Sequence, residues 1–115
     1  MSVLYVFLGG GLGSVLRWGV GQALDPWGTV VVNIVGSAIL AFLAHPGMGL
    51  SNPVKLTVCV GLMGGFTTYS TFNVEILKAL TEGQHAHALL LVVVTLLGAL
   101  AAGAAGWALA GWVTG

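Results

Sequence analysis

The chain has 115 residues, of which 57% are hydrophobic and only 5% are charged. Soluble domains carry roughly 25% charged residues, so three basic and three acidic side chains cannot form a water-exposed surface. The composition therefore predicts an integral membrane protein. The length predicts one domain, residues 1–115. The formal net charge is zero, which excludes a basic nucleic-acid-binding surface, and the single cysteine, Cys59, excludes a disulfide framework.

The first predicted membrane span covers about residues 3–24 and is rich in glycine. Small residues let membrane helices approach each other closely, which is the usual role of glycine in such helices. Arg17 lies about two-thirds of the way along this span. A lone arginine near a helix end ordinarily extends its charge to the membrane interface, so this is the default interpretation of Arg17.

The second predicted span, about residues 28–44, has no charge and is near the minimum length for crossing a bilayer. Its polar side chains Thr29, Asn33 and Ser37 are four residues apart, so they share one helical stripe. This stripe has two equal interpretations. It is either a seam of hydrogen bonds between helices or a polar wall along a path.

The third predicted span, about residues 54–80, has a glycine pair, Gly64 and Gly65, ahead of a run of hydroxyl side chains. Glycine pairs weaken helices, and hydroxyl side chains can bond the backbone groups that a break frees. We therefore expect a helix break from Gly64 to Thr67, in the middle of the membrane. Broken membrane helices present unpaired carbonyls and amides, which is typical of ion sites.

The fourth predicted span covers about residues 88–113, so four spans place both termini on one side of the membrane. Arg17 and Lys78 then lie towards one side and Lys55 towards the other, which is almost no orienting bias. Insertion in both orientations would give an antiparallel dimer with its two-fold axis in the membrane plane. A four-helix bundle of this size has little room for its own pore, so the predicted working unit is a dimer.

Three blocks of sequence resemble the signature blocks of the Fluc-type fluoride channels. They are GGGLGSVLRW at residues 9–18, GTVVVNIVGS at residues 28–37 and GGFTTYSTF at residues 64–72. The resemblance covers the whole chain in length, number of spans and block order. It implies an all-α, dual-topology antiparallel homodimer in the cell (inner or plasma) membrane, with two pores that lower cytoplasmic fluoride by passive efflux.

The resemblance also implies site residues. A sodium ion at the dimer centre is held in this family by backbone carbonyls, which map to Gly64 and Thr67 of both subunits. Arg17 and Glu75 match supporting positions. One aromatic position departs from the family, because Tyr69 stands where phenylalanine is usual. The anion path maps to Asn33, Tyr69, Ser70, Thr71 and Phe72.

The chemistry of these residues suits fluoride, which is strongly hydrated and accepts hydrogen bonds. A selective pore must replace the hydration water with donors, and the chain offers an amide, hydroxyls and the electropositive edges of aromatic rings. It has no ring of lysines or arginines, the usual anion-pore device. That absence fits conduction, because a desolvated cationic side chain would hold the ion too tightly.

Three alternatives are weaker. A small dual-topology multidrug or cation transporter needs a carboxylate buried in the membrane, usually in the first span, which has none, and Glu75 lies near a helix end. A structural subunit would not concentrate donors and aromatic edges beside a broken helix. No nucleophile with a base and no cluster of metal ligands predicts an enzyme.

Overall fold

The computed structural model describes all 115 residues, and every element of it is helical. The third helix, α3, spans residues 52–66 in three consecutive pieces: Asn52–Val54, a π-helical stretch Lys55–Leu62, and Met63–Phe66. A 3₁₀ turn, Pro46–Met48, precedes it. The other helices are α1 (Ser2–Ala23), α2 (Gly28–Ala44), α4 (Ser70–Thr81) and α5 (His85–Thr114).

Local sequence explains where the helices end. Helix α2 ends at Ala44 because His45 precedes a proline, and a residue in that position is driven out of the helical region. His45 accordingly has φ −59° and ψ 132°, and its Nδ1 accepts a hydrogen bond from Gly47 N at 3.0 Å. Gly83, between α4 and α5, has φ 75°, a left-handed conformation that favours glycine.

Helices α1 and α3 pack backbone against backbone through glycines on both sides. A methyl group on Gly61 would lie 2.9 Å from Val6 O, and one on Gly13 would overlap the Leu62 carbonyl. The contact therefore requires glycine, as the sequence predicted for the first span. The π-helical stretch lies in this seam and was not predicted. Its wider turns are seen in the hydrogen bond from Met63 N–H to Val58 O, five residues back.

Helices α2 and α5 form the second extensive helix pair, after α1 and α3. They too approach closely, because a methyl group on Gly106 of α5 would overlap the Ala38 carbonyl of α2. The buried apolar side chains form two small clusters beside α2. One cluster contains Val30, Phe72 and Leu91, and the other contains Val32, Met63 and Phe66.

The break between α3 and α4 lies at residues 67–69, after the position predicted from the glycine pair. Gly64 and Gly65 are both helical, and the helix ends at Phe66. Thr67 is extended, with φ −85° and ψ 156°. The prediction that Gly64 begins the break was wrong. Gly65 packs against α1 as part of the helix, and the backbone leaves the helix only where Asn33 of α2 hydrogen-bonds Thr68.

The single chain buries little of its surface: only 16 of its 115 residues are buried. Large apolar side chains are exposed along α1 and α5. Two helices, Ser2–Ala23 and His85–Thr114, are long and apolar enough to cross a membrane, and Gly28–Ala44 is a shorter apolar helix. The molecule measures 48 × 32 × 20 Å.

Candidate functional site

The break is joined to α2 by one side chain, Asn33. Its Nδ2 donates to Thr68 O at 2.9 Å, and Thr68 N donates to Asn33 Oδ1 at 2.9 Å. The amide thus pairs with both backbone groups of one residue, as a neighbouring strand would. In a continuous helix the Thr68 N–H would bond Gly64 O, so this pair replaces a turn of helix.

Thr68 also caps the first turn of the next helix, α4, which begins at Ser70. Its hydroxyl accepts a hydrogen bond from Thr71 N at 3.2 Å and lies 3.4 Å from Ser70 Oγ. The N-cap position of α4 is Tyr69, whose side chain makes no capping bond, so the Thr68 hydroxyl takes the capping role from one residue earlier by accepting a free N–H of the first turn. Thr68 was not predicted as a site residue, although a hydroxyl residue just before a helical run is a usual signal for a cap.

At the break, the backbone carbonyls of Gly64 and Thr67 accept no hydrogen bond within the chain. Gly64 is exposed, with nothing within 4 Å of the position where a Cβ would stand. The intervening carbonyl of Gly65 accepts from Arg17 Nε at 3.0 Å. Arg17 is therefore bound to the broken segment and does not simply extend to a helix end.

These carbonyls fit a sodium ion. Hard cations are bound by oxygen ligands, backbone carbonyls included, and the last carbonyls of a helix carry the negative end of its dipole. Gly64 O lies in the last turn of α3, and Thr67 O follows directly after it. The donor set is thus suited to the cation that the resemblance implies.

A cavity of about 480 Å³, which we call the vestibule, opens on one side of the break. Every charged side chain of the protein except Lys55 lines it. The hydroxyl residues Thr29 and Thr71 also line it. The charged lining residues are Arg17, Asp25, Glu75, Lys78 and Glu82.

A second cavity of about 380 Å³, which we call the groove, has no charged residue in its lining. The rings of Tyr69 and Phe72 meet edge to face there, with centroids 6.1 Å apart and planes at 71°. The two residues are three apart in the chain, a spacing that places side chains on one face of a helix. The groove is also lined by Asn33, Ser37 and Thr67, and Thr68 lines both cavities.

Thr95 of α5 is the groove residue that the sequence analysis missed. It is 5% exposed, and its hydroxyl oxygen has no hydrogen-bond partner. Leaving a buried polar group unpaired costs about 1–3 kcal/mol, so such a group is commonly retained for a ligand or water. The only sequence signal was a hydroxyl residue in a long apolar span, which does not tell which way the side chain points.

The predicted pore residues divide between the two cavities. Asn33, Tyr69 and Phe72 line the groove, and Thr71 lines the vestibule, while Ser70 lies at the start of α4 outside both. Tyr69 is 76% exposed, whereas Phe72 is 6% exposed and packs in the core. Of the α2 stripe, Thr29 lines the vestibule, and Asn33 and Ser37 line the groove. The bonds of Asn33 to Thr68 fit the interpretation as a hydrogen-bond seam, and a path along the stripe stays a prediction.

Comparison with known proteins identifies the family. The model of a family described as "CrcB-like protein, Camphor Resistance (CrcB)" matches residues 4–107. The chain belongs to the CrcB-like family. A relative from Pectobacterium carotovorum subsp. carotovorum (strain PC1), named "Fluoride-specific ion channel FluC", is 40% identical over 98% of this chain and 96% of its own length.

Other CrcB-like relatives carry the same name. The protein from Klebsiella pneumoniae (strain 342) is 41% identical over 84% of this chain and 83% of its own length. The one from Methylobacterium sp. (strain 4-46) is 37% identical over 92% and 90%. With the two long apolar helices, these relatives identify an all-helical membrane protein of an ion-channel family and not an enzyme.

Proposed function

We propose that this CrcB-like protein is a fluoride-selective channel, which lowers cytoplasmic fluoride by passive efflux across the cell (inner) membrane. The observation that carries the proposal is the groove, where neutral hydrogen-bond donors and aromatic edges gather beside a helix break without any charged side chain. The names of the relatives support fluoride as the ion. Neutral donors can replace hydration water without holding the anion as tightly as a cationic side chain would.

The path runs from the vestibule past Thr68 into the groove. In the groove the hydroxyl of Thr95 has no partner inside the protein. The Asn33 amide has a second N–H, since only one hydrogen of Nδ2 is needed for its bond to Thr68 O. The ring edges of Tyr69 and Phe72 add weak positive potential. Together these groups replace the water of a small anion.

The working unit is an antiparallel homodimer with four spans in each subunit and two pores. The third span consists of α3 and α4 with the break at its middle, and exposed Gly64 leaves that turn open to a partner. Sodium would be held at the dimer centre by the Gly64 and Thr67 carbonyls of both subunits. When bound, it supplies a fixed positive charge beside the anion path. Lipid covers the remaining apolar faces of α1 and α5.

A small multidrug or cation transporter is not favoured. Such a protein needs a carboxylate within its binding cavity, away from bulk water. The three carboxylates of this chain, Asp25, Glu75 and Glu82, all line the vestibule, and none lines the groove.

The test is ion efflux from liposomes that contain the purified protein. We expect rapid fluoride efflux and no chloride efflux above that of protein-free liposomes. Equal rates for the two anions would exclude a selective channel, and an absence of fluoride efflux from correctly inserted protein would exclude the function.

A further inference from the structure

We propose that α2 sets the affinity of the sodium site, with Asn33 and Gly36 as the positioning residues. This inference rests on the proposed function, since the sodium site is part of it. Neither residue supplies a ligand to the cation. Both act on the backbone segment that does.

The hydrogen bond from Thr68 N to Asn33 Oδ1 leaves the carbonyls of both Gly64 and Thr67 free to bind a cation. In a planar trans peptide the carbonyl of one residue points opposite to the N–H of the next. Because the Thr68 N–H points at Asn33, the Thr67 carbonyl must point away from α2. The same bond withholds this N–H from Gly64 O, the partner it would have in a continuous helix.

The second bond of the pair prevents the segment from rotating. Asn33 Nδ2 holds Thr68 O at 2.9 Å, so the two peptide units on either side of the Thr68 Cα are fixed by one side chain. Rotation of the peptide between Thr67 and Thr68 would break the bond to Oδ1 and turn the Thr67 carbonyl away from the cation. One side chain therefore couples the lining of the groove to the cation site.

Gly36 supplies the space for this arrangement, one turn after Asn33 on α2. It is buried, and a methyl group there would overlap Thr67 Cγ2 and lie 3.3 Å from Phe66 Cδ2. A side chain at this position would push Thr67 off α2. Since the Thr67 carbonyl moves with its Cα, the cation ligand would be displaced while the Asn33 amide itself stays unchanged.

The test measures sodium binding separately from conduction, by the thermal unfolding of the purified protein in detergent. Sodium is titrated at constant ionic strength against a large organic cation. A ligand that binds only the folded protein raises the unfolding temperature, so the wild-type Tm should rise with sodium. In Asn33→Ala and in Gly36→Ala, about tenfold more sodium should be needed to raise the Tm by the same amount above its sodium-free value.

The matched control is Gly103→Ala. Gly103 is on α5, and its new methyl group would lie 3.8 Å from Ser37 O of α2. This is an ordinary van der Waals contact. This variant should keep the wild-type sodium dependence. Wild-type sodium dependence in both α2 variants would overturn the inference and leave the sodium site standing. A wild-type Tm that does not respond to sodium would overturn the sodium site itself, while fluoride efflux would still test the channel.

A second measurement needs no variant and so does not depend on how the substitutions fold. If the two hydrogen bonds between Asn33 and Thr68 are coupled to the cation site, sodium should slow hydrogen exchange at the Thr68 amide of the wild-type protein about tenfold. A Tm that rises with sodium while exchange at this amide stays unchanged would contradict the coupling. Slowed exchange at Thr68 supports it.

Discussion

The vestibule and the groove meet at Thr68, yet their linings are opposite in character. The vestibule, about 480 Å³, is lined by all the charged side chains but Lys55, and the groove, about 380 Å³, is lined by none. Charged side chains are tolerable where water can solvate them and expensive where it cannot. Under the proposed function, an anion would keep its hydration water in the vestibule and exchange it for neutral donors in the groove.

The largest expected effect comes from putting a charge into the groove. Asn33→Asp should lower fluoride efflux by more than about a hundredfold, since a carboxylate in a membrane interior costs about 2.5–3.5 kcal/mol and repels an anion. It also loses the donor to Thr68 O. The rate is measured in liposomes with protein whose oligomeric state matches that of the wild type.

The matched control for this charge is Thr29→Asp, one turn earlier on the same stripe but lining the vestibule. Because water solvates a charge there, we expect a loss at least about tenfold smaller than that of Asn33→Asp. Equal losses in the two variants would break the distinction between the cavities.

Removal of sodium is expected to have the next largest effect. Purification with a large organic cation in place of sodium should slow fluoride efflux about tenfold, within the usual range of coupling between two sites. The expected cause is the loss of a fixed positive charge beside the groove and of order at the Gly64 and Thr67 carbonyls. Return of sodium should restore the rate. Full activity without sodium would remove the cation from the mechanism.

A smaller effect is expected from Thr95→Val, which keeps the side-chain shape and removes the unpaired hydroxyl of the groove. Efflux should fall about fivefold, the value of one hydrogen bond. The Tm should not fall, because the variant buries no unpaired polar group. Thr57→Val is the control, since that hydroxyl donates to Pro53 O at 2.8 Å and lines neither cavity. Unchanged efflux in Thr95→Val would exclude this hydroxyl from the path.

The smallest effect is expected from Tyr69→Phe. The Tyr69 hydroxyl makes no hydrogen bond in the chain, whereas its ring meets Phe72 edge to face. Since the ring edge is retained, the efflux rate should stay within about twofold of the wild type. Tyr69→Leu removes the edge and should lower the rate further. If both variants behave alike, the ring contributes nothing to the groove.

Much of the architecture could be predicted from the sequence because the signals are local. Runs of apolar residues without charge mark the helices, and Pro46 and Gly83 mark their ends. The four-residue spacing of Thr29, Asn33 and Ser37 predicted a polar stripe, and the stripe does face the two cavities. Spacing alone could not show that one end of the stripe lines a charged cavity and the other an uncharged one. That depends on which side chains of α4 and α5 lie opposite the stripe.

The helix break shows what the sequence alone predicts and what only the tertiary structure decides. Sequence alone determined that the third span contains a helix break with hydroxyls and an aromatic pair beside it, since glycines, threonines and their spacing are local properties. The tertiary structure decided where the break falls. Gly64 and Gly65 stay helical, and the interruption lies where Asn33, 35 residues earlier in the chain, takes the Thr68 backbone. A hydrogen bond from another helix outweighs the weak local preference of glycine, and only packing brings that partner into place.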